Sequence, residues 1–248
     1  MCTVTFLPGR KGYRLGMNRD EKLTRAKGLP PQPTTESGHT FIAPTEPGGG
    51  TWIGLNDLGV CLALINWYSV NRHATGKTVS RGEIIPSARH ARDDEAVDVA
   101  LAKLPLKRIN PFRLIGIFPA NRTIIEWRWD LKRLTRVPHP WRAQQWISSG
   151  FDEPTAQRIR ARTFAAARRQ KSFGSLEWLR RSHRSHVPSA GPFSTCMHRN
   201  DAATVSYTEV SVAPHLCILR YHAGAPCCTA LEAREEMVHP AGIEPATC

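Results

Sequence analysis

The sequence of 248 residues predicts an α+β fold in which antiparallel β-sheets are covered on the outside by helices. Strand and helix patterns follow one another in the order strands, helix, strands, helix, strands, and most strand connections are as short as those of hairpins. Regular βαβ repeats, which would indicate a parallel sheet, are not found in the sequence. A hydrophobic content of 41% with 22% charged residues is typical of a globular protein with a substantial core.

Strands are predicted where apolar residues alternate or form short buried runs: at 2–7, at 13–19, twice within 51–67, and at 112–119, 123–129, 203–212 and 215–222. The last two are joined by only two residues and are predicted to pair antiparallel. Residues 28–50, rich in Pro, Gly and Thr, are predicted to form a loop.

Two helices are predicted from their capping residues. The first lies within 87–106, begins at Asp93 or Asp94 and ends at Pro105. The second runs from about Asp152 to Gln170, with Asp152 as the N-cap. Residues 1–227 are predicted to form a single domain. Residues 228–248 have no strand or helix pattern and are expected to be an unstructured tail, similar to the peptide produced when translation runs into non-coding sequence.

The composition also favours a cytoplasmic location. There is neither a run of about 18 apolar residues, as a membrane span needs, nor a signal-peptide pattern at the N-terminus. The seven cysteines are scattered without a C-x-x-C pair, so neither a zinc ribbon nor a disulfide framework is indicated. The net charge of +13 is concentrated in the stretch 158–184, which is predicted to be a solvated helix face, with nucleic-acid or anionic-surface binding as the less favoured interpretation.

Cys2 is the candidate nucleophile. Removal of Met1 would give this residue a free α-amine beside its thiol, and the amine then serves as a built-in base. If the first hairpin turns between Arg10 and Lys11, Cys2 faces Arg19 across the strands, and the apolar residues of the two strands also pair. A nearby arginine would lower the pKa of the thiol. A register slipped by one residue would instead place Asn18 and Asp20 on the same face as Cys2.

Hydrolysis of an acyl compound also needs a donor to the oxyanion. Asn66 is an isolated polar residue at the end of the buried run CLALIN, so it is a candidate for that donor. A structural amide in a strand-end turn is an equally good interpretation of Asn66.

Several blocks of the sequence resemble one known family. MCTVTF, YRLGMNRDE, GGTWIGLNDLGVCLALINW, SRGEI and CMHRNDAATVSYTEV occur in the order found in the NRDE family, also called the transport and Golgi organisation family. This family is similar to the N-terminal-nucleophile (Ntn) cysteine hydrolases, among them penicillin V acylase and bile salt hydrolase. The resemblance implies an Ntn-hydrolase-like αββα sandwich of two antiparallel sheets flanked by helices, and a hydrolase that acts on a non-peptide amide.

The resemblance also implies roles for individual residues. Cys2 corresponds to the nucleophile, Asp20 to the residue that contacts its amine, and Asn66 to the oxyanion donor. The position of the acylases' arginine is occupied here by Met17, and Arg19, which lies on the same face of the strand, is expected to replace that arginine. The second oxyanion asparagine of the acylases has no clear match, and two serines lie roughly where it is expected. These two serines are Ser148 and Ser149. Asn18 and Trp52 are the predicted substrate-binding residues.

The alternative is a non-catalytic carrier of the same family that binds haem or another hydrophobic metabolite. His183 and His186, and likewise Cys196 and His198, are spaced as parts of a metal or haem site, but they lack further ligands nearby in the sequence. No metal ligand and no resident cofactor is therefore predicted, and haem enters only as the ligand of the alternative. The expected partner is a small-molecule amide or a hydrophobic metabolite.

Overall fold

The computed structural model describes residues 2–228 and the backbone of 234–238. Its thirteen strands are β1 (Cys2–Gly9), β2 (Gly12–Lys22), β3 (Leu29–Glu36), β4 (His39–Thr45), β5 (Ile53–Asn56), β6 (Cys61–Asn66), β7 (Phe112–Phe118), β8 (Thr123–Trp129), β9 (Leu134–His139), β10 (Gln144–Ser148), β11 (Ala202–Ala213), β12 (Leu216–Ala223) and β13 (Arg234–Val238). The helices are α1 (Ile84–Ser87), α2 (Asp94–Ala102), α3 (Glu153–Ala167) and α4 (Leu176–His183). Among the described helices, none is long and apolar enough to cross a membrane.

The strands form two sheets, each antiparallel throughout. The six-stranded sheet has the order β10-β1-β2-β11-β12-β13, and the seven-stranded sheet runs from β3 to β9 in sequence order. Their inner faces pack together around an apolar core that includes Val4, Leu15, Ile53 and Ile115. Helices α1 and α2 cover the outside of the larger sheet, and α3 and α4 cover the smaller one. The predicted α+β class and αββα layering are thereby confirmed.

The first hairpin forms in the predicted register. Cys2 lies opposite Arg19, Val4 opposite Met17, and Phe6 opposite Leu15. Residues directly opposite each other share a face of the sheet, so Cys2 and Arg19 point towards the other sheet, while their neighbours Thr3 and Asn18 point towards the helices. The slipped register is wrong, because it would turn the buried apolar side chains of β1 away from the core.

The predicted loop at 28–50 is wrong for most of its length. Its residues form β3 and β4, and only the part after Thr45 is a loop before β5. The prolines at 30, 31 and 33 favoured a loop because proline cannot donate to a sheet ladder. However, β3 is the edge strand of its sheet, where a missing N–H on the outer side leaves no partner unsatisfied.

Other differences concern elements without a clear local pattern. Strands β9 and β10 and helix α4 were not predicted, whereas Asp93 and Asp152 are confirmed as the N-caps of α2 and α3. The tail was expected to be unstructured, but Arg234–Val238 pairs with β12. The expectation is therefore wrong for those five residues, and the rest of the tail after Cys228 lies outside the described residues.

A buried carboxylate ties the larger sheet to β10. The Glu126 side chain, fully buried, ion-pairs with Arg113, Arg128 and His139. Arg113 also donates to the carbonyl of Ile147 at 3.1 Å, in the neighbouring sheet. Burial alone would raise the pKa of Glu126, but hydrogen bonds from His139, Arg128 and Arg113 outweigh it and lower the pKa from 4.5 to about 2.

Glu126 is expected to stabilise the fold in a pH-dependent way. Because its folded pKa is depressed, its contribution of up to about 3 kcal/mol is present above pH ~4.5 and is lost as the pH falls towards 2. Glu126→Gln should therefore have a lower free energy of unfolding than the wild type at pH 7. At pH 2–3 the difference between the two proteins should be much smaller, and denaturant titrations at both pH values would measure it. Glu177→Gln is the control, since that side chain is 83% exposed. An equal deficit at both pH values would contradict the assignment.

Candidate active site

A cavity of about 420 Å³ opens between the two sheets at the start of β1. Four of the predicted site residues, Cys2, Arg19, Trp52 and Asn66, line it, and Asp20 also borders it. They come from β1, β2, the loop before β5 and the end of β6, so both sheets contribute. The fold thus brings together residues that are far apart in the sequence.

The Cys2 thiol is buried and its side chain is part of the core between the sheets. Burial raises the pKa of Cys2, and the Asp20 carboxylate raises it further, whereas Arg19 and the backbone N–H of Asp20 act in the opposite direction. The net shift of the Cys2 pKa is upward, because burial outweighs the lowering by Arg19 that the sequence predicted. A thiol that stays protonated at neutral pH needs a base before it can attack a carbonyl carbon.

Arg19 lies over the indole of Trp52, with its guanidinium carbon 4.4 Å from the ring centroid. It also donates to Glu46 at 2.7 Å and lies 3.5 Å from Glu21. The cation–π contact and the two carboxylates hold the guanidinium in the cavity wall. Its positive charge lowers the pKa of Cys2, which is the electrostatic effect that the sequence predicted for it, although burial outweighs it.

The Asp20 carboxylate is held on the helix side of β2. It accepts a hydrogen bond from Thr204 at 2.6 Å and pairs with Arg160 of α3 at 3.4 Å. Arg160, itself buried, also donates to Thr3 at 2.7 Å. These contacts fix the carboxylate directly behind the start of β1, and its contact with the Cys2 amine stays a prediction.

Asn18 does not belong to the cavity, and its predicted contact with substrate is corrected. Its amide nitrogen donates to the carbonyls of His183 at 2.9 Å and Thr195 at 2.8 Å, and its oxygen lies 3.0 Å from Nδ1 of His183. The register explains this position, because Asn18 lies opposite Thr3 on the helix-facing side of the sheet. Asn18 therefore joins β2 to the last residue of α4 and to the segment that follows it.

Asn66 closes β6 at the cavity wall, and its amide nitrogen donates to the Tyr68 hydroxyl at 2.7 Å. The second hydrogen of that amide is available for a ligand, because an asparagine NH₂ carries two donors. The placement is compatible with the predicted oxyanion role.

Of the two candidate serines, only Ser148 is positioned next to Cys2. Ser148 lies directly opposite Cys2 on β10, so the two side chains share the inner face and their Cβ atoms are expected about 5 Å apart. Its buried hydroxyl has no hydrogen-bond partner among the described residues. Ser149 instead makes two turn hydrogen bonds with the backbone of Phe151. The sequence could not separate the two serines, because β10 has no clear strand pattern.

Arg81 is a cavity residue that the sequence did not single out. It belongs to the SRGEI block, where the Ser80 side chain accepts from the backbone N–H of Gly82 and caps a short 3₁₀ turn. Gly50 has a positive φ of +81°, and a Cβ atom added to it would lie only 3.0 Å from the Cα atom of Gly82. This close approach allows the loop before β5 to pack against the turn, and the two segments together form the rim of the cavity.

The two-sheet fold resembles that of known hydrolases. Conjugated bile acid hydrolase from Clostridium perfringens, determined as a mutant, matches with a TM-score of 0.57 at 10% identity over 100% of both chains. Penicillin V acylase from Agrobacterium tumefaciens matches with a TM-score of 0.56 at 12% identity, over 96% of this chain and 86% of that one. At such low identity the likeness establishes the fold alone, an Ntn-hydrolase-like sandwich of two antiparallel sheets.

Among curated proteins, none matches the sequence significantly. The sequence pattern of Transport and Golgi organisation 2 matches residues 1–127, which include β1 to β7 and every predicted site residue before β8. The chain therefore belongs to the Transport and Golgi organisation 2 family.

Proposed function

We propose that the protein is an N-terminal-cysteine hydrolase that cleaves a non-peptide amide or a related acyl compound, with Cys2 as the nucleophile after Met1 is removed. One observation carries the proposal: Cys2 and Asn66, which belong to different sheets, line the same cavity, and Ser148 lies directly opposite Cys2 on the neighbouring strand. A nucleophile flanked by two hydrogen-bond donors is the arrangement that acyl transfer needs.

The proposed reaction begins when the α-amine of Cys2 takes the thiol proton and the sulfur attacks the carbonyl carbon. The negative charge that develops on the carbonyl oxygen accepts hydrogen bonds from Asn66 Nδ2 and Ser148 Oγ. The protonated amine then gives its proton to the leaving nitrogen, the C–N bond breaks, and a thioester on Cys2 remains. Water, deprotonated by the same amine, hydrolyses the thioester to a carboxylic acid and restores the thiol.

The substrate is proposed to carry an anionic group. Among the described residues, Glu46 pairs with Arg19 and Arg25, whereas no carboxylate ion-pairs with Arg81, which donates to the carbonyl of Pro111 at 3.1 Å. Burial lowers the pKa of Arg81, so its cation is poorly solvated. An anionic group of the substrate in the cavity would pair with the Arg81 guanidinium and offset the cost of its burial.

Arg81→Met is therefore expected to raise KM for an anionic amide by about 10–100-fold, because it removes one charge-assisted hydrogen bond. The turnover number should change little, since Arg81 is not placed to act on the reacting atoms. Steady-state kinetics with an anionic substrate and its neutral ester provides the measurement. An equal loss for both compounds would contradict the anion-binding role.

The carrier function is the alternative and stays a prediction. The charged side chains around the cavity, including Glu21 and Arg25, fit a polar ligand better than a wholly hydrophobic metabolite. A carrier would bind its ligand equally well with and without the Cys2 thiol, whereas a hydrolase would form an acyl-enzyme on that thiol.

The test of the proposed function is acyl-enzyme trapping. The purified protein is mixed with a panel of anionic N-acyl amides, quenched in acid after short times, and analysed by intact and peptide mass spectrometry. The expected result is absence of Met1 and an acyl mass on Cys2 but on no other cysteine. Retention of Met1, or turnover without modification at Cys2, would overturn the proposed mechanism.

A further inference from the structure

A second cluster of reactive side chains lies behind the candidate active site, on the helix side of the smaller sheet. His186, Cys196 and His198 belong to the segment between α4 and β11, and Cys227 follows β12. Their ligand atoms all lie within 4.8 Å of one another. Two sulfurs and two imidazole nitrogens converging in this way form a complete donor set for a tetrahedral metal ion.

The three distances from His198 Nε2 to the other ligand atoms match those that such an ion imposes. Tetrahedral zinc with Zn–S of about 2.3 Å and Zn–N of about 2.05 Å separates its sulfur and nitrogen ligands by about 3.5 Å and its two nitrogens by about 3.3 Å. Nε2 of His198 lies 3.6 Å from Cys196 Sγ, 3.4 Å from Cys227 Sγ and 3.1 Å from His186 Nε2. All three separations agree with the expected values to within a few tenths of an ångström.

Hydrogen bonding alone does not account for this arrangement. Three polar atoms converge on the single nitrogen His198 Nε2, which in a neutral imidazole either donates one hydrogen or accepts one through its lone pair. At most one of the three contacts can therefore be a good hydrogen bond. A cation placed between the four atoms would use every lone pair at once.

Hydrogen bonds to the backbone hold two of the ligands, Cys196 and His198, in place independently of their own side chains. The N–H of Cys196 donates to the carbonyl of Ser185 at 3.0 Å, and the N–H of His198 donates to the carbonyl of Gly191 at 3.2 Å. The Ser194 hydroxyl donates to the carbonyl of Cys196 at 2.6 Å. This half of the site is thus organised before any ion binds, which reduces the entropy cost of binding.

We infer that His186, Cys196, His198 and Cys227 bind one Zn²⁺ ion as a structural site. Tetrahedral coordination by two sulfurs and two nitrogens favours zinc over Mg²⁺, Ca²⁺ or Mn²⁺, which prefer oxygen ligands. With all four positions occupied by protein, the site leaves none open for a substrate. Both thiols bind as thiolates, so two protons pass to solvent when the ion enters.

The position of the cluster suggests what the ion stabilises. Within the same segment, the carbonyl of Thr195 accepts from Asn18, and Met197 exchanges hydrogen bonds with Thr204. Thr204 in turn donates to Asp20. An ion that anchors residues 186–198 to Cys227 would therefore fix the partners of Asp20 behind Cys2, and zinc would act on the active site through positioning alone.

The test is metal binding by the full-length protein, reduced and freed of metal by a chelator. Titration with Zn²⁺ is expected to saturate at about one ion per chain and to raise the melting temperature. With Co²⁺ as the probe, the protein should show a thiolate-to-cobalt charge-transfer band and the intense visible bands of a tetrahedral complex. Cys227→Ser should weaken binding at least about 100-fold.

Two matched variants serve as controls. Cys228→Ser removes the exposed neighbouring thiol, and His215→Ala removes an exposed histidine outside the cluster; both should bind zinc as the wild type does. The inference is overturned if the wild type binds no more zinc than the variant lacking Cys196 and Cys227. It is also overturned if protein alkylated before reduction contains a disulfide between these two cysteines. Neither result depends on hydrolase activity, so the zinc site and the proposed function fail separately.

Discussion

Cys2→Ala is expected to lower kcat for amide hydrolysis by on the order of 10⁴-fold or more, because removing the nucleophile leaves only binding and oxyanion contacts. The same change removes a small buried group and should cost about 1 kcal/mol of stability. Activity would be measured under saturating substrate, and folding by circular dichroism and thermal melting. The loss of activity should therefore be far larger than any loss of folded protein.

Two further cysteine variants sharpen this experiment. Cys2→Ser retains size and packing but replaces the thiol by a weaker nucleophile, so it should fold like the wild type and lose most activity. Cys228→Ala changes an exposed thiol and should be fully active. Full hydrolysis by Cys2→Ala would show that another group attacks the substrate. Ligand binding that survives in all three variants, without turnover in the wild type, would favour the carrier function.

Asn66→Ala is expected to lower kcat by about 10²–10³-fold with little change in KM, as loss of one oxyanion donor does in other acyl-transfer enzymes. The donor acts on charge that exists only in the transition state, so ground-state binding should be preserved. Tyr68→Phe is the control, because it removes the hydroxyl that accepts from Asn66 but leaves the amide in place. A comparable fall in kcat for Tyr68→Phe and none for Asn66→Ala would contradict the assignment.

The two serines on β10 provide an internal comparison for the second donor. Ser148→Ala removes a buried hydroxyl that lacks a partner among the described residues, so stability should be unchanged or improved while kcat falls by about 10-fold or more. Ser149→Ala should show the reverse, a loss of about 1 kcal/mol of stability with kcat retained, since its hydroxyl bonds only the Phe151 backbone. The pair is measured by chemical denaturation and single-turnover kinetics. A fall in kcat for both variants would argue for a general disturbance of β10.

The first hairpin shows how far local pattern reaches. Two alternating segments and a glycine-flanked turn allow one register that buries both apolar faces, and this register correctly placed Cys2 opposite Arg19. The N-caps of α2 and α3 were likewise readable, because a cap depends on residues within one turn. The loop predicted at 28–50 failed for the opposite reason. Whether a proline-rich strand is tolerated depends on its being at the edge of a sheet, which is a property of the whole sheet.

By itself, the sequence determined the layered α+β class, the hairpin that begins at Cys2, and the candidate roles of Cys2, Arg19 and Asn66. Only the tertiary structure decided that Ser148 lies beside Cys2, that Asn18 faces the helices, and that Arg81 reaches the cavity. It also brought Cys227 to His198, 29 residues away in the chain. The physical reason is that periodicity and capping report forces between near neighbours, whereas the pairing of distant strands is set by burial of both sheets together.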